Sequence, residues 1–208
     1  MKTAVMMCGE IRDGVRQFEH LKKFFIDGIC PDIYIQTYKC EQSDQIIDLY
    51  QPKKFIIEDQ NDVAEEIETI SSVYTHNIDG SCTKRRFLSM IRNRKLVSSL
   101  LDETYDRVLI SRLDCYGTQS IATTFYTTDL CIPRGGDYGG ILDLCAWGSH
   151  KDIMYYCSLA DNVERYWRNG VTLHPETMLS YHLRSNKDIQ IARVDMALFL
   201  RDDHFNKY

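Results

Sequence analysis

The sequence contains none of the short motifs that announce a familiar catalytic or nucleotide site. It has no G-x-G-x-x-G dinucleotide fingerprint and no P-loop. G-x-S-x-G and H-E-x-x-H are also missing, which removes nucleophile-elbow hydrolases and zincin-type metalloproteases. The eight cysteines, at 8, 30, 40, 82, 115, 131, 145 and 157, include no C-x-x-C and no tight Cys/His pairing. Neither a zinc site nor a dithiol redox motif is therefore written in them. Cys8, Cys131 and Cys145 fall in apolar segments, where a free thiol behaves as a small hydrophobe. A reduced, intracellular protein is expected rather than a disulfide scaffold. No apolar run approaches the ~20 residues of a membrane span. The N-terminal run is too short for a secretory signal and lacks a cleavage pattern, so it reads as a first strand. Internal repeats, low-complexity tracts and compositional breaks are absent too, which leaves one domain in 208 residues. The net charge of −5 does not favour nucleic acid as a partner.

What is present alternates strands with helices. Thr3 to Cys8 reads as strand one, with a turn over 9–14. Val15, Phe18, Leu21, Lys22 and Phe25 recur at helical spacing up to Gly28. Ile33 to Thr37 is strand two, and a short helix over 43–50 takes Ser43 as its cap. Lys53 to Glu58 is strand three. Val63, Ile67 and Ile70 mark the next helix, capped by Asn61 or Asp62. Residues 71–81 are turn-rich, and the longest helix follows over about 83–101. Val108, Leu109 and Ile110 form the core of strand four. This βαβαβαβ order predicts a mostly parallel α/β sheet flanked by helices. The second half predicts strands over 128–132, 141–148 and 189–194, and helices over 149–158, 163–168 and 174–183. A loop with four glycines in eight residues, 133–140, precedes the 141–148 strand.

The chemistry-bearing residues gather where strands should end. Ligands of open α/β sheets bind outside the carboxyl ends of the strands. Gly9 and Arg12 follow strand one, and a strand-to-helix turn there can seat a phosphate with Arg12 as a bidentate partner; an ordinary βα turn is the plain alternative. Arg112 and Asp114 follow strand four, with Asp114 either a candidate metal ligand or half of a surface ion pair. Lys84, Arg85, Arg86, Arg92, Arg94 and Lys95 put six bases in twelve residues of an acidic chain. A solvated helix face would explain them; alternatively one or two, Arg86 and Arg92 first, meet an anion beside strand four. Asp143 interrupts an apolar run, and a buried carboxylate there needs a partner, unless it faces solvent at an edge. His174, Pro175 and Glu176 open a helix, where Pro costs little and Glu favours the dipole.

In combination these stretches resemble a broad group of small glycosyltransferases with the GT-A fold. The resemblance rests on Gly-x-x-Arg after strand one, on 31–37 and 51–58, and on Tyr105 to Asp114 as a "YD-x-V-I-x-x-R-x-D" signature. It is extended by Asp143 to Gly148, by His-Pro-Glu at 174–176 and by Leu179-x-x-His182-Leu183. The group includes glycosyltransferase domains that build viral capsid glycans. The resemblance implies a single GT-A domain with a nucleotide-binding half over about 1–115 and an acceptor-side half over about 116–208. It implies sugar transfer, hexosyl or deoxyhexosyl, from a nucleoside-diphosphate sugar, UDP-sugars favoured, to a glycan or glycoprotein hydroxyl. Gly9, Arg12, Thr37, Arg86, Arg92 and Arg112 would bind the donor, and Asp114 would hold Mn²⁺ or Mg²⁺. Arg112 stands where the family's D-x-D motif has its first acid, which puts strict metal dependence in question. If the reaction inverts the anomeric centre, a carboxylate must take the acceptor proton, with Asp143 the first choice for that base and Glu176 the second. Tyr166 and Trp167 could stack on an acceptor sugar. The expected location is cytoplasmic, of a host cell for a viral protein, and the chain could belong to a larger polypeptide. A noncatalytic nucleotide-sugar or glycan-binding module and a nucleotidyltransferase stay open beside this reading.

Overall fold

The computed structural model describes residues 1–12, 14–79, 83–117 and 119–200. Its centre is β1 (Thr3–Cys8), whose six residues are all buried. Ala4, Met6 and Cys8 point to one face and Val5 and Met7 to the other, as the two-residue period of a strand requires. Both faces must then be covered, and an apolar core lies on each side of the sheet.

β1 pairs in parallel with β2 (Asp32–Tyr38) on one side and with β4 (Arg107–Arg112) on the other. β3 (Lys54–Glu58) extends the sheet beyond β2, also in parallel. Two further strands, β6 (Leu130–Pro133) and β7 (Cys145–Gly148), come from the second half, together with β8 (Ile191–Val194). The order is β3-β2-β1-β4-β7-β6-β8, in which β7 alone runs against its neighbours. One sheet therefore spans both halves of the chain. A small antiparallel pair stands apart, formed by β5 (Cys115–Gly117) and β9 (Leu198–Leu200).

The helices fill the two faces. α3 (Gln60–Ser71), α4 (Lys84–Ser98), α5 (His150–Cys157), α6 (Val163–Arg168) and α7 (Pro175–Arg184) supply the core on the Ala4–Met6 side. α1 (Phe18–Leu21) and α2 (Ser43–Tyr50) cover the opposite face, together with Phe125 and Trp147. No helix among the described residues is long and apolar enough to cross a membrane.

Four local expectations change. The first helix is one α turn that continues as a π turn over Lys22–Ile26, not one helix to Gly28. Asp59, rather than Asn61 or Asp62, caps α3, its carboxylate accepting from the Asn61 N–H at 2.8 Å. Ser43 lies inside its helix, where its hydroxyl accepts from the Cys40 N–H at 2.8 Å. The 141–148 strand shrinks to Cys145–Gly148. Ile141 and Leu142 are buried in the core without pairing, so their apolar character reflects packing and not a ladder. Seven cysteines are free thiols; Cys82 lies outside the described residues.

Candidate functional site

The parallel strands β1, β2 and β4 deliver Cys8, Tyr38 and Arg112 at their carboxyl ends, and these line one cleft of about 1080 Å³. Gly9, Glu10 and Arg12 form its floor after β1. α3 and α4 form one wall with Val63, Ala64, Ile67, Arg86, Phe87 and Met90. The opposite wall carries Arg134, Tyr138, Asp143 and Glu176.

The floor is a tight, strained turn. Gly9 sits at φ 105 and Arg12 at φ 45, a backbone conformation uncommon for a residue with a side chain. Gly9 is held by its N–H donating to the Gln36 carbonyl at 3.1 Å. Thr37 donates its hydroxyl to the Gly9 carbonyl at 2.8 Å. Thr37, expected among the donor-binding residues, is fully buried and does not line the cleft; it supports the turn from behind.

Arg12 and Arg112 converge on Asp114. Arg12 Nη1 donates to Oδ2 at 2.7 Å, Arg112 Nε to Oδ1 at 2.8 Å and Arg112 Nη2 to Oδ2 at 2.7 Å. Arg12 Nε also meets Glu10 at 2.7 Å. Asp114 is 1% exposed. A metal centre of the kind the family resemblance implies needs carboxylate oxygens free to coordinate. Both oxygens of Asp114 are taken by guanidinium groups, Glu10 Oε2 is paired with Arg12, and Asp143 Oδ2 with Arg94. Among the described residues no group of three or more His, Cys, Asp or Glu side chains is placed to hold an ion. Even Mg²⁺, which accepts one or two carboxylates with substrate phosphates, would meet two cations ahead of the one acid. The donor set does not fit a protein-held divalent ion.

The basic cluster divides by helix geometry. Arg86 is exposed on the cleft wall, with no carboxylate at ion-pair distance among the described residues. Arg92 turns to Glu58, at 2.8 and 3.0 Å, and to Glu66; it does not line the cleft. Its charge is already satisfied, which removes the reason for placing it at an anion. Arg94 points into the core.

The far wall is built on α7. Gly140 packs so closely that an added Cβ would lie 2.0 Å from the Glu176 carbonyl oxygen. The next residue, Ile141, donates its N–H to that oxygen at 3.1 Å. The loop is thus pinned on the helix that carries Glu176. Burial, and next the charge of Asp143, push the Glu176 carboxyl up to about 7. His174 Nδ1 lies 3.3 Å from Glu176 Oε2. Asp143 is 4% exposed and fixed by Arg94. Burial also pushes the Cys8 thiol up to about 11, so the cleft's cysteine carries no thiolate at neutral pH.

Tyr166 and Trp167, expected as sugar-stacking candidates, are core residues at 3% and 5% exposure. Trp167 donates to the His76 carbonyl at 2.8 Å, and Tyr166 Oη lies 2.9 Å from His182 Nδ1. The exposed aromatic that does line the cleft is Tyr138, in the glycine-rich loop. The sequence marked Arg94 as one of the basic cluster and Tyr138 and Gly140 only as members of the glycine-rich loop, with no role of their own. The glycine-rich loop and the basic helix that carry them were visible, but not the individual contacts.

No protein-family model matches the chain, and no curated protein matches it. Among solved structures it is similar to mouse xyloside xylosyltransferase 1 in its apo form. The identity is 10% and the TM-score 0.50, over 93% of this chain and 85% of that one. At that identity the likeness concerns fold alone. The chain has a GT-A-like glycosyltransferase fold, a single α/β domain with a mostly parallel sheet.

Proposed function

We propose that the protein is a glycosyltransferase that moves a sugar from a nucleoside-diphosphate sugar, UDP-sugars first, to a hydroxyl of a glycan. The observation that carries this reading is the division of one cleft between two chemistries. Arginines at the strand ends can meet a diphosphate, and an acid with a carboxyl near 7 stands on the opposite wall.

The parts take the following roles. The apolar slot between α3 and α4, lined by Val63, Ile67, Phe87 and Met90, takes the nucleoside. Gly9, with no side chain, lets the phosphates approach the backbone, and Arg12, Arg86 and Arg112 meet their charge. Glu176 takes the proton of the acceptor hydroxyl as the new glycosidic bond forms. A base works best when its pKa lies near the working pH, and Glu176 satisfies that condition. Asp143, the first choice from sequence, is ion-paired with Arg94 in the core, and its negative charge helps to raise the Glu176 carboxyl. Tyr138 offers an aromatic face for the acceptor sugar. The Mn²⁺ or Mg²⁺ implied by the resemblance enters no step of this reading. The resemblance to viral capsid-glycan enzymes supports a glycan or glycoprotein acceptor and a cytoplasmic location.

The test is donor turnover. The purified chain, incubated with UDP- and GDP-sugars with and without Mn²⁺, is expected to release nucleoside diphosphate from at least one donor. No release from any of them overturns the reading and leaves a binding module on the same fold.

A further inference from the structure

Arg12, after β1, and Arg112, at the end of β4, are brought to one carboxylate by strand pairing, since Cys8 and Arg112 are register partners. Asp114 takes three N–H bonds from them at 2.7–2.8 Å. A carboxylate 1% exposed, with both oxygens occupied, is the counter-ion of the two arginines. Their own side chains are 28% and 24% exposed, and both line the cleft. A guanidinium has five N–H donors. Asp114 takes one from Arg12 and two from Arg112, so it fixes the planes of both groups while leaving donors for the cleft. Arg12 gives one more to Glu10, an exposed pair that an incoming polyanion can replace. Arg86 adds a third guanidinium on the adjoining wall.

We propose that this guanidinium pair, aligned by Asp114, holds the donor's diphosphate in place of a divalent cation, so that donor binding needs no metal. The inference rests on the glycosyltransferase reading and deepens it. In the transfer step the bond from the anomeric carbon to the phosphate oxygen breaks, with its electron pair left on that oxygen. Arg12 and Arg112 stay protonated and donate to the oxyanion as its charge develops. The acceptor oxygen forms the new bond to the anomeric carbon, and its proton passes to Glu176. Arginine suits the task because its planar fork matches phosphate oxygens and its charge is permanent. The two groups are oriented before the donor arrives, which lowers the cost of ordering them on binding.

Calorimetric titration of the whole chain with UDP and with GDP tests this, once in excess EDTA and once in excess Mg²⁺ or Mn²⁺. The expected dissociation constants agree within about threefold between the two conditions. Arg12→Gln and Arg112→Gln are each expected to weaken binding about tenfold or more, as loss of a charge-assisted bond does. The lysine variants should fall between, because a point charge keeps the attraction and loses the fork. Thermal melts without ligand establish that each variant folds; if Arg112→Gln does not, the more exposed Arg12 carries the comparison. Binding that is tenfold or more weaker in EDTA, or arginine variants that bind as the wild type does, overturns the inference while leaving the donor reading intact. No binding of either nucleotide in either condition overturns both.

Discussion

Arg94 and Asp143 form an ion pair inside the protein, with Nη2 3.4 Å from Oδ2 and side chains 4% and 6% exposed. Arg94 also donates to the Asp143 carbonyl, and Tyr156 Oη donates to the same oxygen at 3.1 Å. The guanidinium lies over the Tyr156 ring, 5.4 Å from its centroid. α4 is thereby tied to the segment that runs from the glycine-rich loop into β7. Breaking a buried pair on one side leaves an uncompensated charge, which costs about 3–5 kcal/mol. Arg94→Met is therefore predicted to lose stability on that scale in urea unfolding, and Arg94→Met with Asp143→Asn to recover part of it. A single variant that loses less than about 1 kcal/mol would show that the pair does not hold the wall.

Glu176 gives a pH dependence with a defined sign. Its folded-state carboxyl stands at about 7, above the ordinary 4.5, because of burial first and Asp143 second; Asp137 adds in the same direction and Arg94 opposes it. A raised carboxyl means that the folded state holds its proton more tightly than the unfolded chain. The stability this contributes is complete below pH 4.5 and lost as pH rises through 7. A shift of that size corresponds to about 3 kcal/mol. Unfolding free energy is predicted to fall between these pH values, and Glu176→Gln to flatten the fall. The transfer rate should climb through about pH 7 as the carboxylate forms, and the same variant should lower kcat about 10²–10⁴-fold. A rate that keeps both its size and its alkaline rise in Glu176→Gln removes the residue as base.

Gly140 is small because the Glu176 backbone lies against it. A methyl group there would press on the carbonyl at 2.0 Å, a backbone atom that cannot swing aside. Gly140→Ala is predicted to lift the loop from α7 and cost about 1–3 kcal/mol, the usual scale of overpacking. Transfer should suffer more than donor binding, since the displaced wall carries the base and the arginine floor lies elsewhere. Melting temperature, nucleotide affinity and kcat together decide it; unchanged values of all three would refute the close approach.

The first half of the fold was legible because β1 and the Val108–Ile110 centre of β4 are buried on both faces and read as short apolar runs, with turn residues between the elements. The reversal of β7 was not, because direction depends on pairing with β4 and β6, far away in sequence. The strand expected over 141–148 fails for a related reason: Ile141 and Leu142 are apolar for packing, and only the last four residues find partners. The basic helix shows the same limit at the site. Arg92 and Arg94 are two positions apart, so they leave the helix on nearly opposite sides. One meets Glu58 at the surface and the other Asp143 in the core. Composition marked the cluster but could not say which member faces which way. The convergence of Arg12 and Arg112 on Asp114 also needed the sheet, because strand pairing sets two residues a hundred positions apart side by side.

Tyr138 provides the test of the acceptor side. It is 77% exposed, it lines the cleft, and it holds φ at 41, which an aromatic residue adopts only when its surroundings impose it. Nothing in the core requires its ring, whereas Tyr166 and Trp167 are committed to packing and hydrogen bonds. An exposed ring can cover the apolar C–H face of a sugar while the sugar's hydroxyls reach polar groups beside it. The loop is pinned to α7 two and three residues later, at Gly140 and Ile141, which keeps the ring on the side of the cleft that holds Glu176. Tyr138→Ala is predicted to raise the acceptor KM about tenfold, the loss of one good contact of about 1.4 kcal/mol, with nucleotide affinity unchanged. Stability should change by less than about 0.5 kcal/mol, as for other exposed positions. Tyr138→Phe should retain the acceptor KM, because the stacking face remains. Tyr138→Gly should lose the acceptor effect as Ala does but gain a little stability, since glycine adopts this φ without strain. If the acceptor KM does not move in Tyr138→Ala, the sugar lies elsewhere along the cleft.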